Sequence, residues 1–194
     1  MASLRDREEL AVMQAFDLDL NIEIELRRRQ EAESQENPSK VLDNHIAYAT
    51  AFPLRQFVKE SFAIVEQGRE FKENWHIDII CELLQAIVLG QVRNFIINIP
   101  RRTMKSTLVC VMFPCWVWTF LPHLRFLFTS YSADFAKRDN EKCRDLVSSA
   151  YYQQRWGDQF HITTDRRNKI ANTKGGSREV FKIGKGTGSG GDIV

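Results

Sequence analysis

Asn94-Phe95-Ile96-Ile97-Asn98-Ile99-Pro100-Arg101-Arg102-Thr103-Met104-Lys105-Ser106-Thr107, or NFIINIPRRTMKST, decides how this chain is read. Phe95 to Ile99 is a short, nearly continuous apolar run, as expected of a strand buried on both faces of a parallel sheet. A polar turn follows, and Lys105-Ser106 opens an apolar helix expected to run to about Phe120. Strand, turn and Lys-Ser helix start are the parts of a phosphate-binding loop. The glycines of that loop are absent: in GxxxxGK[ST] the two glycine positions fall on Ile99 and Met104.

The physics is more tolerant than the pattern. A triphosphate needs convergent backbone N–H donors at a helix N-terminus, a cation for its β and γ phosphates and a hydroxyl for Mg²⁺. Lys105 and Ser106 stand where the last two are needed, and Arg101 and Arg102 add two cations able to grip phosphate bidentately. Glycine only eases the tight turn. The competing reading is a plain Lys-Ser helix start with two arginines exposed at a strand end. Context favours the first: a buried strand before, an apolar helix after, and a second strand about 20 residues on.

Upstream, Ile77, Ile80, Cys81, Leu84, Ile87 and Val88 keep helical spacing over Trp75 to Leu89, and Gly90 closes that helix. From Val41 the chain also reads helical, interrupted at Pro53. Residues 1–40 form a charged arm, read as helical by propensity, although DLDLNIEIEL at 17–26 alternates with a strand period. Downstream, Leu124 to Thr129 is a second strand, and Phe135, Cys143, Leu146, Val147 and Ala150 stripe the helix after it. Shorter strands are expected within 160–183, including Arg178 to Ile183. A glycine-rich loop, GKGTGSGG, covers 184–191, and Asp192-Ile193-Val194 opens a further strand. This order implies an α/β fold: a mostly parallel sheet flanked by helices, with a helical arm ahead of it.

Composition sets looser bounds. The 194 residues suffice for one domain with a core, and 43% hydrophobic with 27% charged residues is ordinary for a globular chain. A net charge of +2 is too even to argue for nucleic acid, so a basic patch has to come from local clustering. The four cysteines have neither CxxC nor zinc spacing, and read as free thiols of a reducing cytosol. The apolar run 108–121 is too short to span a bilayer, and reads as a core helix kinked or ended near Pro114.

HIDIICELL, NFIINIPRRTMKSTL, RFLFTSYSADFAKRDNEKCRDLV, YYQQRWGDQF and GKGTGSGGDIV occur in this order. Together they resemble the ATPase domain of the large terminase subunit of tailed bacteriophages, the motor that packages viral DNA into procapsids. The resemblance covers roughly residues 55–194. It implies an additional-strand (ASCE-type) P-loop NTPase core with its Walker A loop at 99–107, binding ATP and Mg²⁺. Lys105 would be the phosphate lysine, Ser106 the Mg²⁺ hydroxyl, and Arg101 the cis-acting arginine, with Arg102 the runner-up. Thr103, Met104 and Thr107 complete the nucleotide-binding loop. An adenine-reading residue in the preceding helix corresponds to His76, with stacking on Trp75 the alternative. Arg125 and Arg138 are candidates for an arginine acting on a neighbouring subunit, and Thr129 to Ser132 for a loop facing DNA or nucleotide.

The same resemblance implies partners: double-stranded DNA, the portal protein, the small terminase subunit and a homo-oligomeric ring on the procapsid, in the host bacterial cytoplasm. The pattern departs from the family after GGDIV, where a strand ending in paired Walker B acids is expected, followed by the coupling motif and a nuclease domain. None of these is in the sequence, and Asp192 precedes the strand rather than supplying its acids. The reading is therefore an incomplete ATPase domain, 41–194, that binds nucleotide but lacks efficient hydrolysis, with Phe95 to Ile99 left as an open sheet edge. Two alternatives stand beside it: another P-loop NTPase such as a helicase or kinase, and a non-catalytic truncated prophage remnant.

Overall fold

The computed structural model describes residues 38–130, 133–182 and 190–194. The charged arm before Pro38, Tyr131 and Ser132, residues 183–189 and the side chain of Phe135 lie outside the described residues. The unit that contains the loop runs from Tyr48 to Val194. No helix among the described residues is long and apolar enough to cross a membrane.

Among the described residues three helices precede the loop: α1 (Pro38–Ala51), α2 (Leu54–Val65) and α3 (Trp75–Val88). Pro53 separates the first two in extended conformation while its carbonyl accepts the first amides of α2. Helical spacing puts Leu54, Phe57, Val58, Phe62 and Val65 of α2 into the core, and Ile77, Ile80, Cys81 and Leu84 of α3. Gly90 takes φ +71° just past α3, and the amides of Gln91 and Val92 turn back to the Ala86 carbonyl, as expected of a glycine stop.

The helix after the loop departs from expectation. It starts at Lys105, runs as a π-helix over Thr107–Met112, and becomes α4 only at Phe113–Val117. Pro114 neither ends nor breaks it. In an α-helix its ring would crowd the Cys110 carbonyl, and its missing N–H would leave that carbonyl unbonded. The wider π turn relieves the crowding. The carbonyl is taken up instead by Arg178, which donates through Nε at 3.1 Å and Nη2 at 2.7 Å.

Beyond it come β1 (Arg125–Ser130), α5 (Ala133–Ser148), α6 (Ala150–Trp156), β2 (Ile162–Arg166), β3 (Lys169–Asn172) and β4 (Ser177–Lys182). The sheet order is β1-β4-β3-β2. Only β1 and β4 run parallel; β4 with β3 and β3 with β2 are antiparallel. The fold is thus α/β with a mixed sheet, and the expectation of a mostly parallel one is corrected. The reason is local: Arg167-Asn168 and Thr173-Lys174-Gly175-Gly176 are short turns, and short turns force antiparallel neighbours. Asn172 accepts the amides of Lys174 and Gly176 and donates to the Pro122 carbonyl, while a Cβ on Gly176 would stand 2.0 Å from that carbonyl oxygen.

On the other edge of β1, Ile193 forms a parallel bridge with Phe126, and the Leu127 amide donates to the Ile193 carbonyl at 2.9 Å. Phe95–Ile99, expected as a buried strand, pairs with no strand among the described residues. It is extended and one-sided: Phe95, Ile97 and Ile99 pack on the core, while Ile96 is 94% exposed.

The core between helices and sheet is rich in aromatics. Trp116, Trp118 and Trp156 are fully buried, and their indole N–H groups donate at 3.0 Å to the Phe52 carbonyl, the Leu124 carbonyl and the Tyr48 hydroxyl. Buried indoles need such partners. Cys81, Cys115 and Cys143 are buried free thiols and Cys110 is half-buried.

Candidate functional site

The loop makes its turn without glycine by placing two side-chain-bearing residues in the left-handed region: Arg102 at φ +68° and Met104 at φ +62°. Met104 occupies the second glycine position of the common pattern, directly before the lysine. For an L-residue this conformation costs about 1–2 kcal/mol, and such strain persists only where surrounding structure enforces it. Three contacts do so. The Thr103 hydroxyl donates to the Pro100 carbonyl at 2.8 Å, Nε2 of His76 meets the Thr103 carbonyl at 3.3 Å, and the Leu108 amide donates to the Met104 carbonyl at 2.9 Å.

Lys105 and Ser106 then open the helix, where the first amides have no intrahelical acceptor. Lys105 is half-buried, and neither it nor Arg101, Arg102 or Ser106 has a hydrogen-bond or ion-pair partner among the described residues. All face a cleft of about 1170 Å³ walled by the loop, the C-terminal end of β1 at Phe128, Thr129 and Ser130, the middle of α5, and the segment just after α2. Among the described residues, seven basic side chains line it against two acidic ones, Glu66 and Asp139. That imbalance is the local clustering that the overall net charge conceals.

Both acids are engaged. Glu66 accepts from the Thr107 hydroxyl at 3.1 Å and from the Lys142 ammonium, with Arg69 at 3.8 Å. Burial alone would push its carboxyl up. The bonds and charge of Lys142, the Thr107 hydroxyl and the Arg69 charge outweigh that and hold it below the ordinary carboxylate value. Asp139 is pushed up by burial, against the opposing pull of Arg138, Arg178 and Lys142. Arg178 is wholly buried. Besides Cys110 it donates to Asn140 Oδ1 and stacks 4.5 Å over the Phe128 ring.

The structure brings Arg101, Arg102, Thr103, Met104, Lys105, Ser106 and Thr107 to one cleft, with the Thr107 hydroxyl turned to Glu66. His76 is not on the cleft wall; it braces the loop from α3, edge-on to an exposed Trp75. Arg138 lines its own chain's cleft. Arg125 lies elsewhere, bound to Asp192 through Nε at 3.3 Å and Nη2 at 3.1 Å.

Glu66, Arg69, Asp139, Lys142 and Arg178 were not singled out from sequence. Only Arg178 left a trace, as a charge in register with Val180 on the buried face of a strand. No His, Cys, Asp or Glu group of metal-binding size occurs among the described residues. A Mg²⁺ bridging phosphates takes a loop hydroxyl as one ligand, which Ser106 can offer, with one or two carboxylates beside it. No family model matches the chain, and neither does any curated protein or solved structure.

Proposed function

We propose that the cleft binds the triphosphate of ATP with Mg²⁺, and that the chain is the ATP-binding part of a terminase-like motor that moves double-stranded viral DNA. One observation carries the reading. A glycine-free turn holds Arg102 and Met104 left-handed and presents Lys105 and Ser106, whose side chains have no partner among the described residues, at a helix start facing a strongly basic cleft. Lys105 bonds the β and γ phosphates as a compact cation, Arg101 and Arg102 clamp phosphate oxygens from the turn, and Ser106 supplies a hydroxyl to the metal. The P-loop NTPase identity, the DNA, portal and small-subunit partners, and the ring all rest on the resemblance of the motifs.

Glu66 and Asp139, the acids lining the cleft among the described residues, are tied to neighbouring cations rather than free to activate water. We therefore expect binding without efficient turnover in this chain.

Calorimetric titration with a nonhydrolysable ATP analogue and Mg²⁺ tests the reading. Lys105→Ala removes a charge-assisted hydrogen bond of about 1.5–3 kcal/mol, so Kd rises roughly ten- to a hundredfold. Absence of binding by the unaltered chain, or equal binding by the variant, overturns it.

A further inference from the structure

We infer that Lys142 is a further phosphate-binding cation of this cleft, from a different element than the loop, aimed and partly neutralised by Glu66. This rests on the triphosphate reading and extends it to a residue on a different element.

One carboxylate oxygen joins the two sides of the cleft. Glu66 Oε1 accepts both the Thr107 hydroxyl at 3.1 Å, two residues after Lys105, and the Lys142 ammonium from α5. Because both bond the same oxygen, the ammonium sits beside the helix start where phosphate is expected. The other α5 and β4 cations that line the cleft are spent differently: Arg178 on Cys110 and Asn140, and Arg138 on Asp139. An ammonium has three donors, and Glu66 takes one of them. Lys142 can keep that bond, hold its direction and give a second bond to a phosphate oxygen. Glu66 is 16% exposed and Lys142 25%, so the pair is screened less than a surface pair yet open to a ligand. The carboxylate is a positioning residue with a price in affinity: it orients Lys142 and also repels the phosphate that Lys142 attracts.

Titration with inorganic tripolyphosphate, and separately with the nonhydrolysable ATP analogue, tests this. Glu66→Gln keeps an acceptor for Thr107 and Lys142 but removes the negative charge, so both probes bind about fivefold tighter. Lys142→Met keeps the aliphatic stem and loses the charge, so both bind roughly tenfold weaker, while Lys142→Arg stays within about twofold of the unaltered chain. Tightening by Glu66→Gln reads the repulsion that is removed, while weakening by Lys142→Met with recovery in Lys142→Arg reads the cation itself. Unchanged or weaker binding by Glu66→Gln overturns the inference, as does unchanged binding by Lys142→Met. Lys105→Ala separates the two failures. If it loses binding while both pair variants bind like the unaltered chain, only the assignment of Lys142 falls. If the unaltered chain binds neither probe, the triphosphate reading falls first.

Discussion

Replacing Met104 by glycine and, separately, by alanine isolates the strain in the loop. Both variants delete the same half-buried thioether, so the lost burial cancels between them. What differs is the backbone. Alanine at φ +62° carries the left-handed penalty of an L-residue, about 1–2 kcal/mol. Glycine avoids it, but the freedom it gains in the unfolded chain costs about 0.5–1 kcal/mol relative to alanine. The glycine variant is therefore expected to be the more stable by about 0.5–1 kcal/mol, the reverse of the usual order. For a chain of this size that is roughly 1–4 °C in Tm. The same pair at Arg102, φ +68° and exposed, gives the same sign with no burial to cancel. Urea unfolding at constant m-value reads the difference. An alanine variant as stable as the glycine variant at both positions refutes the claim that the turn holds strain where the common loop has glycine.

Arg178→Leu strands the Cys110 carbonyl that Pro114 leaves unbonded and frees the Asn140 amide, so urea unfolding should show a loss of about 3–5 kcal/mol; a loss under about 1 kcal/mol would mean the guanidinium is not what secures that helix. Burial, joined by the Asp78 charge, pushes the Cys81 thiol up to about 12, and burial with Asp139 pushes Cys110 up to about 11. Between the unfolded thiol value of about 8.5 and those values the unfolded chain gives up protons the folded chain keeps, so stability falls as pH rises through that window. At pH 8 a thiol-specific disulfide reagent should label native Cys81 far more slowly than the denatured chain, and rapid native labelling would contradict its burial.

Helices α1, α2, α3 and α5 were legible because their apolar positions repeat at one spacing, and Gly90 and Pro53 punctuate them physically, whereas the stripe read through Ala150 ran past the break at Ser149 where α6 begins. β1 was legible for the same kind of reason, as an apolar run between turn residues. What sequence reading missed depends on contacts between distant segments. The π-helix comes from Pro114 meeting a carbonyl that an arginine 68 positions from Cys110 captures. The antiparallel half of the sheet comes from two tight turns whose signals, Arg167-Asn168 and Gly175-Gly176, are weaker than a strand-helix alternation. In the site, the loop residues were named because they are contiguous. Glu66, Asp139, Lys142 and Arg178 come from three other elements, and nothing local distinguishes Glu66 or Lys142 from any surface ion pair.

Among the described residues, the extended leg Phe95–Ile99 enters the loop without a ladder, held to the core through Phe95, Ile97 and Ile99. The opposite leg is a continuous helix pinned at Cys110 by a buried guanidinium. The two supports of the turn thus differ in stiffness. Apolar side chains can slide along a greasy surface by small steps, whereas a bidentate hydrogen-bonded clamp resists displacement until it ruptures. Load applied across this turn would be absorbed upstream of Pro100, leaving Lys105 and Ser106 as the fixed end of the lever.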